Sequence, residues 1–362
     1  MLEVDVTLMQ GGFRLDAQFA ADAPIVALFG RSGAGKSTLV NAIAGLVKPQ
    51  RGRICVDGRA LFDENAGIDL APENRRVGYV FQDALLFPHL TVRGNLAYGE
   101  RLTPPGERYV DHDRIVDLLD LGRLLDRRPS RLSGGERQRA AIGRALLASP
   151  RLLLMDEPLA SLDAARKTEI LAYIELLRDE LRLPIVYVSH SLEEVTRLAD
   201  HVVVIGDGRV IAEGPLASLM GRSDMAMLAG RFEAGTVIPA RVTRVDEHNG
   251  LTTLRFDGGE LVVPNLDALP GEPVRARIRA RDVSISLRRP EGISIQNILP
   301  ARIIALGSEY GAIIDVEMAV GGATILARVT RKAVAELSLR PGLEVHALVK
   351  AVAIDRRSVG FA

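Results

Sequence analysis

The stretch Gly30-Arg31-Ser32-Gly33-Ala34-Gly35-Lys36-Ser37-Thr38 is the part of the sequence that decides the fold. It follows an apolar run at residues 25–29 and precedes a helix-like segment at residues 39–46. This order of strand, glycine-rich loop and helix predicts a P-loop, whose backbone N–H groups close around phosphates at a helix N-terminus. Lys36 would supply a charge for the β- and γ-phosphates, Ser37 a hydroxyl for Mg²⁺, and Thr38 a secondary phosphate contact. We therefore predict a nucleotide-phosphate site formed by all nine residues.

The sequence around the loop alternates short β-branched runs with helical patterns from residue 24 to about residue 221. The runs lie at residues 25–29, 77–81, 152–155, 185–189 and 202–205. This alternation predicts an α/β fold with a parallel sheet covered by helices. Residues 88–148 have a helical pattern that includes a Pro104-Pro105-Gly106 break upstream of the apolar run beginning at Ile115, which indicates an inserted helical subdomain.

After residue 221 the pattern changes to many short strands bounded by Gly and Pro. We predict a first domain at residues 1–229 and an all-β second domain at residues 230–362. The second domain repeats itself: residues 238–242 return as residues 299–303, and residues 270–276 return as residues 341–347. The repeats span about residues 236–290 and 293–360, and predict two small OB-like barrels, the second with an extra short helix at residues 331–337. Chance similarity between hairpins is the alternative explanation of these matches.

Composition excludes several classes of protein. The chain has 362 residues, of which 47% are hydrophobic and 25% charged, values typical of a globular protein of two or three domains. From Ser223 onward there are 18 basic and 16 acidic residues, against 28 and 30 before it, so neither part has the basic excess of a nucleic-acid binder. The single Cys55, the absence of a signal-peptide pattern and the shortness of every apolar run predict a cytoplasmic protein that reaches a membrane only through a partner.

Two adjacent carboxylates end the apolar run Leu152-Leu153-Leu154-Met155-Asp156-Glu157-Pro158. Neighbouring side chains of a strand point to opposite faces, so the two carboxylates should diverge. With a P-loop in the same chain, we predict that Asp156 holds Mg²⁺ through water and that Glu157 polarises the water that attacks the γ-phosphate.

The octet Leu132-Ser133-Gly134-Gly135-Glu136-Arg137-Gln138-Arg139 opens another helical stretch. By itself it could be an ordinary N-cap, or a second anion site at a helix N-terminus. Together with the P-loop and Asp156-Glu157, it resembles the signature motif of the ATP-binding-cassette ATPases over about residues 1–221. The resemblance implies that ATP and Mg²⁺ lie between two copies of the chain, with the P-loop of one copy facing Ser133, Gly134, Gly135 and Glu136 of the other.

The same resemblance implies roles for further residues. Gln82 is similar to the lid glutamine that senses Mg²⁺ and the transmembrane partner, and Asp163, in Ser161-Leu162-Asp163, to the loop at the dimer interface. His190 is similar to the switch histidine that contacts the γ-phosphate. Phe13 is a candidate for stacking on adenine, with core packing as the alternative.

A single cassette followed by paired β-barrels resembles the importer ATPases that drive separate permease subunits, supplied by a solute-binding protein. Residues 79–96 are similar to the oxyanion and molybdate branch, and residues 293–354 to the molybdate-binding-protein (TOBE/Mop) module. This implies a homodimeric ATPase of a molybdate importer, peripheral at the cytoplasmic face of the inner membrane. Gln296, Lys332 and the pair Val352-Ala353 depart from the module's pattern, so its alternatives stay open: an oxyanion site, a sensor or store, or a dimerisation and spacing module. The same machine for sulfate, iron or another small solute is the alternative for transport.

Overall fold

The structure is a computed structural model that describes residues 1–181, 183–220, 235–266, 268–307, 311–354 and 359–361. The chain divides into two compact units, residues 1–190 with 198–214, and residues 191–197 with 215–362. The expected boundary at residue 229 lies outside the described residues and stays a prediction. None of the described helices is long and apolar enough to span a membrane.

One 11-stranded sheet organises the first unit. Its strands in chain order are β1 (Leu2–Gln10), β2 (Phe13–Ala21), β3 (Ile25–Phe29), β4 (Arg51–Val56), β5 (Arg59–Asp63), β6 (Ile68–Asp69), β7 (Val77–Val80), β8 (Leu152–Asp156), β9 (Ile185–Ser189), β10 (His201–Gly206) and β11 (Arg209–Pro215). The helices along this part of the chain are α1 (Lys36–Ala44), α2 (Val92–Leu102), α3 (His112–Leu118), α4 (Gly134–Leu147), α5 (Ala164–Leu181), α6 (Leu192–Leu198) and α7 (Leu216–Met220).

The parallel part of this sheet, in the order β10-β3-β9-β8-β7, is buried on both faces. Along β8, Leu152 and Leu154 enter the hydrophobic cluster that contains α1, while Leu153 and Met155 enter the cluster that contains α4 and α5. Such two-sided burial explains why the strands are continuous apolar runs in the sequence. The expected parallel sheet with covering helices is confirmed, and α2, α3 and α4 lie within the predicted helical insert.

The other edge of the sheet is an antiparallel extension that the sequence interpretation did not include. β1 pairs with β2 and β4, β4 pairs with β5, and β5 pairs with β6. A usable signal was present in Asp57-Gly58, which connects β4 to β5 with both residues at positive φ. Asp-Gly between two apolar runs is a strong indication of a hairpin.

The described residues of the second unit form two five-stranded sheets. The strands are β12 (Gly235–Asp246), β13 (Leu251–Phe256), β14 (Gly259–Pro264), β15 (Pro273–Arg279), β16 (Val283–Ser286), β17 (Asn297–Leu306), β18 (Ile313–Val320), β19 (Ala323–Thr330), β20 (Glu344–Val349) and β21 (Val359–Phe361). The extra short helix predicted from the repeat offset is confirmed as α8 (Arg331–Glu336).

The two sheets have equivalent strand orders, β14-β13-β12-β15-β21 and β19-β18-β17-β20-β16. The central strands carry a bulge at the same repeat position, between Val242 and Arg244 in β12 and between Ile303 and Ala305 in β17. The edge strands are exchanged, because β16 pairs with β20 of the second repeat and β21 pairs with β15 of the first. The sheets share one hydrophobic cluster, so they are more closely joined than two barrels packed side by side.

Two side chains at equivalent positions bind the sheets together. Asn297, at the start of β17, accepts from the backbone N–H of Val262 at 2.6 Å and donates to the Val262 carbonyl at 2.9 Å. Thr236, at the start of β12, accepts from the backbone N–H of Leu326 at 3.2 Å. Both side chains are buried. Each supplies a hydrogen-bond partner to backbone groups of an edge strand in the neighbouring sheet, β14 for Asn297 and β19 for Thr236.

Candidate nucleotide site

The P-loop connects β3 to α1 in a conformation that requires glycine. A Cβ on Gly30 would collide with the carbonyl oxygen of Ile205, so no side chain fits there. Gly35 has φ +105° and precedes α1, whose N-terminus has no side-chain cap and no acidic residue in its first turn. The first N–H groups of α1 are therefore available to an anion, and the helix dipole favours negative charge at this end. Arg31, Ser32 and Gly33 are exposed, whereas Ala34 is buried.

Lys36 is held inside the loop by the loop's own backbone. Its side chain is 4% exposed, and Nζ donates to the carbonyl oxygens of Gly30 at 2.9 Å and Arg31 at 3.0 Å. Nζ also lies 3.6 Å from Oε1 of Glu157. An ammonium group positioned in this way can interact with a phosphate bound in the loop without a large rearrangement.

Asp156 and Glu157 diverge at the end of β8. The hydroxyl of Ser37 donates to Oδ1 of Asp156 at 3.1 Å, and the hydroxyl of Tyr79 lies 3.5 Å from Oδ2. Burial raises the pKa of Asp156, with the hydrogen bond from Ser37 opposing the shift. A hydroxyl beside one carboxylate suits Mg²⁺, which takes few protein ligands and completes its shell with water and phosphate oxygens. Among the described residues there is no group of three or more His, Cys, Asp or Glu that could hold a metal without such help.

Glu157 faces the P-loop lysine and His190. Its Oε2 lies 3.0 Å from Nδ1 of His190, and its backbone has φ +46°, an unusual value for a residue other than glycine. The backbone N–H of Glu157 donates to the carbonyl of Val188 at 3.1 Å, which fixes the chain as it leaves β8. The Glu157 side chain is 17% exposed and that of His190 is 57% exposed. A carboxylate between a lysine and a histidine is placed to accept a proton from water at the mouth of the loop.

The signature octet begins α4 with a complete capping box. Ser133 Oγ accepts from the backbone N–H of Glu136 at 3.3 Å, and Glu136 Oε2 accepts from the backbone N–H of Ser133 at 2.7 Å. That backbone bond lowers the pKa of Glu136. In the single chain these two side chains therefore form an N-cap, and among the described residues they make no hydrogen bond to the P-loop of the same chain.

Three other sequence-predicted residues lie near the ends of elements. Gln82 is exposed just after β7 and has no hydrogen bond to the described residues. Asp163 accepts from the backbone N–H of Arg166 at 3.0 Å and so caps α5. Phe13 is partly buried against the cluster around α1, and its ring is close enough that a Cβ on Gly35 would lie 2.9 Å from Cζ. Both stacking on adenine and core packing are compatible with this position.

Tyr79 and Asn41, which were not identified from the sequence, also lie at the site. Tyr79 donates to Oδ1 of Asn41 at 2.9 Å, and its hydroxyl also faces Asp156. Burial raises the pKa of Tyr79, so its hydroxyl stays protonated and able to donate. Tyr79 lies at the start of residues 79–96, but nothing in its sequence context indicated that its hydroxyl would reach the carboxylate of Asp156 on the neighbouring strand.

Comparisons with known proteins agree with this geometry. The model of the ABC transporter family matches residues 19–160, and that of the TOBE domain matches residues 293–355. Curated relatives named molybdenum import ATP-binding protein ModC are 51% identical in Paramagnetospirillum magneticum and 52% identical in Mesorhizobium japonicum. The alignments cover 99% of this chain and 99% and 97% of the relatives. A solved ATP-binding cassette, MJ0796, described as a dimer in a post-hydrolysis state bound to ADP and Pi, has a TM-score of 0.51 and 28% identity over 60% of this chain and 99% of its own.

The ABC cassette fold and the C-terminal all-β region predicted from the sequence are confirmed. The cassette is a nucleotide-binding fold whose site is built around the P-loop. On full-length identity of about half, the chain belongs to the molybdenum import ATP-binding proteins of the ABC transporter ATPases.

Proposed function

We propose that this chain hydrolyses ATP to drive import of molybdate through separate membrane-embedded permease subunits. The observation that carries the proposal is the convergence of Lys36, Glu157 and His190 at the P-loop, in a chain that resembles ModC proteins over its whole length. The names of those relatives support molybdenum as the transported element.

The residues divide the chemistry between them. Backbone N–H groups of residues 30–38 and the ammonium of Lys36 bind the phosphates, with Phe13 the candidate for the adenine ring. Mg²⁺ supplies charge neutralisation at the phosphates, and Ser37 and Asp156 would hold it, with Gln82 as a further ligand. Glu157 accepts a proton from the attacking water, and His190, hydrogen-bonded to Glu157, orients that carboxylate and contacts the γ-phosphate.

The proposed assembly contains two copies of the chain. The capping box leaves the glycines of the signature octet at a helix N-terminus, which is suited to a γ-phosphate bound by the second copy. Ser133, Gly134, Gly135, Glu136 and Asp163 would then face the partner's nucleotide. The dimeric cassette structure supports this arrangement by its similarity. The dimer would dock on the permease at the cytoplasmic face of the inner membrane, and a molybdate-binding protein would deliver the solute to the permease.

The test is uptake of labelled molybdate at submicromolar concentration by cells that carry only wild type or Lys36→Ala. We expect uptake with wild type, loss with Lys36→Ala, and no competition by excess sulfate. Uptake that sulfate abolishes would assign the pump to sulfate, and equal uptake with both chains would exclude this chain as the energy source. Parallel uptake of labelled iron tests the remaining solute alternative.

The role of the second unit is a narrower question. One cavity there, of about 480 Å³, is lined by Ser218, Thr236, Asp257 and Thr324 together with apolar residues, and none of the described residues that line it is cationic. A carboxylate without a nearby cation disfavours an oxyanion in this cavity. For the second unit as a whole we propose a dimerisation and spacing role. Equilibrium dialysis of molybdate with the full chain, its P-loop saturated with ATP, tests the sensor or store alternative. Stoichiometric binding there would support a sensor and contradict the spacing role.

A further inference from the structure

The glycines of the signature octet pack directly on the loop that precedes α5. A Cβ on Gly134 would lie 3.0 Å from Cδ2 of Leu162, and a Cβ on Gly135 would lie 3.7 Å from Cδ of Arg166. Leu162 is 9% exposed, so this contact is part of the core. The N-terminus of α4 and the loop Ser161-Leu162-Asp163 are therefore neighbours within one chain.

A second contact joins the same two helices further along. Arg139 lies four residues after Gly135 on α4, which places the two on one face of the helix. Its Nη1 donates to the carboxylate of Glu169 and, at 3.1 Å, to the hydroxyl of Tyr173. The guanidinium also lies 5.4 Å from the centroid of the Tyr173 ring, within the range of a cation–π interaction. Glu169 and Tyr173 are themselves four residues apart on α5.

Because Arg139 is buried, its charge has to be compensated by a carboxylate. Its side chain is 5% exposed, whereas that of Glu169 is 48% exposed. Nε of Arg139 is buried and has no hydrogen-bond partner among the described residues, whereas Nη1 makes the contacts to Glu169 and Tyr173. The carboxylate of Asp120, in the helical insert, lies 3.9 Å from Nη1 of Arg139. A buried cation that loses its carboxylate is strongly unfavourable, so the helices are held where the pair can form.

We propose that Arg139 is a positioning residue that fixes the signature helix α4 to α5, so that Gly134, Gly135 and Asp163 reach the partner's nucleotide as one rigid unit. The inference rests on the proposed function, because it assumes that these glycines and Asp163 act on ATP bound by a second copy. Arg139 itself touches neither nucleotide nor the P-loop in this role.

The test removes the partner of Arg139 rather than the buried arginine, so that no cavity is left in the core, and thermal unfolding of each variant checks that the chain is folded. Glu169→Gln removes the charge of a half-exposed carboxylate. The matched control is Glu180→Gln, which removes another carboxylate of α5 that pairs across to the helical insert, with Arg114 of α3. Glu169→Asp keeps the charge and serves as the conservative variant. The purified full chain is assayed for ATP hydrolysis, for ATP affinity and, in the Glu157→Gln background, for ATP-dependent dimer formation.

We expect Glu169→Gln to lower kcat about tenfold or more and to weaken the ATP-bound dimer, with ATP affinity of the single chain unchanged. Glu180→Gln should change kcat by less than about twofold, since exposed ion pairs contribute little. Glu169→Asp should recover part of the lost rate.

The inference would be overturned if kcat of Glu169→Gln equalled that of wild type. An equal loss of kcat in Glu180→Gln would overturn it as well, since the effect would then come from general docking of α5. Loss of ATP affinity together with kcat would also contradict it, since the defect would then lie at the P-loop of the same chain. If wild type neither hydrolyses ATP nor dimerises with it, the proposed function fails instead, and the variants are not needed to reach that conclusion.

Discussion

Replacing Glu157 by Gln tests the central assignment of the site. Gln has nearly the same shape, and its amide oxygen can still accept a hydrogen bond from His190, whose Nδ1 lies 3.0 Å from the native carboxylate. The variant loses only the negative charge and the ability to take a proton. Removing a general base lowers a rate by about a hundredfold to ten-thousandfold, or about 3 to 5 kcal/mol of activation free energy.

The same substitution should raise the affinity for ATP while it lowers the rate of hydrolysis. Glu157 lies 3.6 Å from Nζ of Lys36 and competes with phosphate for that ammonium. Two unit charges at this distance attract by about 1 kcal/mol at the dielectric constant of water, and more in a partly buried site. Loss of the carboxylate should therefore strengthen ATP binding about fivefold or more.

The assay measures phosphate release and ATP binding on the same purified chain. Glu73→Gln is the control, since Glu73 is an exposed carboxylate whose side chain forms no ion pair with the described residues. Turnover within threefold of wild type would exclude Glu157 as the base. Weaker ATP binding would refute the view that Glu157 competes with phosphate for Lys36.

Two further predictions concern pH and stability. Burial raises the pKa of Asp156, so the folded nucleotide-free chain binds its proton more readily than the unfolded chain and loses stability as pH rises through the raised pKa. Asp156→Asn should remove that loss, so the melting temperature of the variant should rise relative to that of wild type between acidic and neutral pH. Mg²⁺-dependent turnover should fall in the same variant. A difference in melting temperature that stays constant across this pH range would contradict the prediction. Asn297→Leu leaves the N–H and C=O of Val262 without their partner, and should lower the free energy of unfolding by about 2 to 4 kcal/mol. Urea unfolding measures this free energy, with Asn249→Leu in an exposed turn as the control. An equal loss of stability in both variants would contradict the role of Asn297 in joining the two sheets.

The sequence predicted much of the site because the relevant rules are local. A P-loop needs glycine at fixed offsets between a strand and a helix, and Gly30 and Gly35 occupy positions where a side chain would collide or strain the backbone. The same holds for Ser133 and Glu136, whose spacing predicts the N-cap that the structure contains. The Asp57-Gly58 turn follows a local rule as well, so the hairpin of β4 and β5 could have been predicted from the sequence, although it was not.

Contacts between distant residues were decided by the tertiary structure. Glu157 meets His190, 33 residues away, because β8 and β9 are adjacent parallel strands that end at one edge of the sheet. Arg139 contacts Glu169 because α4 and α5 pack next to each other on the same face of the sheet. The amphipathic pattern of a helix does not specify which other helix will be its neighbour.

The second unit separates the two sources of information most clearly. The repeated segments and their offsets were present in the sequence, and they fixed the short helix α8. The exchange of β16 and β21 between the sheets was not, because each strand carries a pattern that either sheet could pair with. Sequence alone determined the loop, the caps and the repeat, since these depend on neighbours along the chain. The pairing of edge strands and the assembly of the catalytic groups depended on free-energy differences between alternative long-range contacts, which only the folded chain resolves.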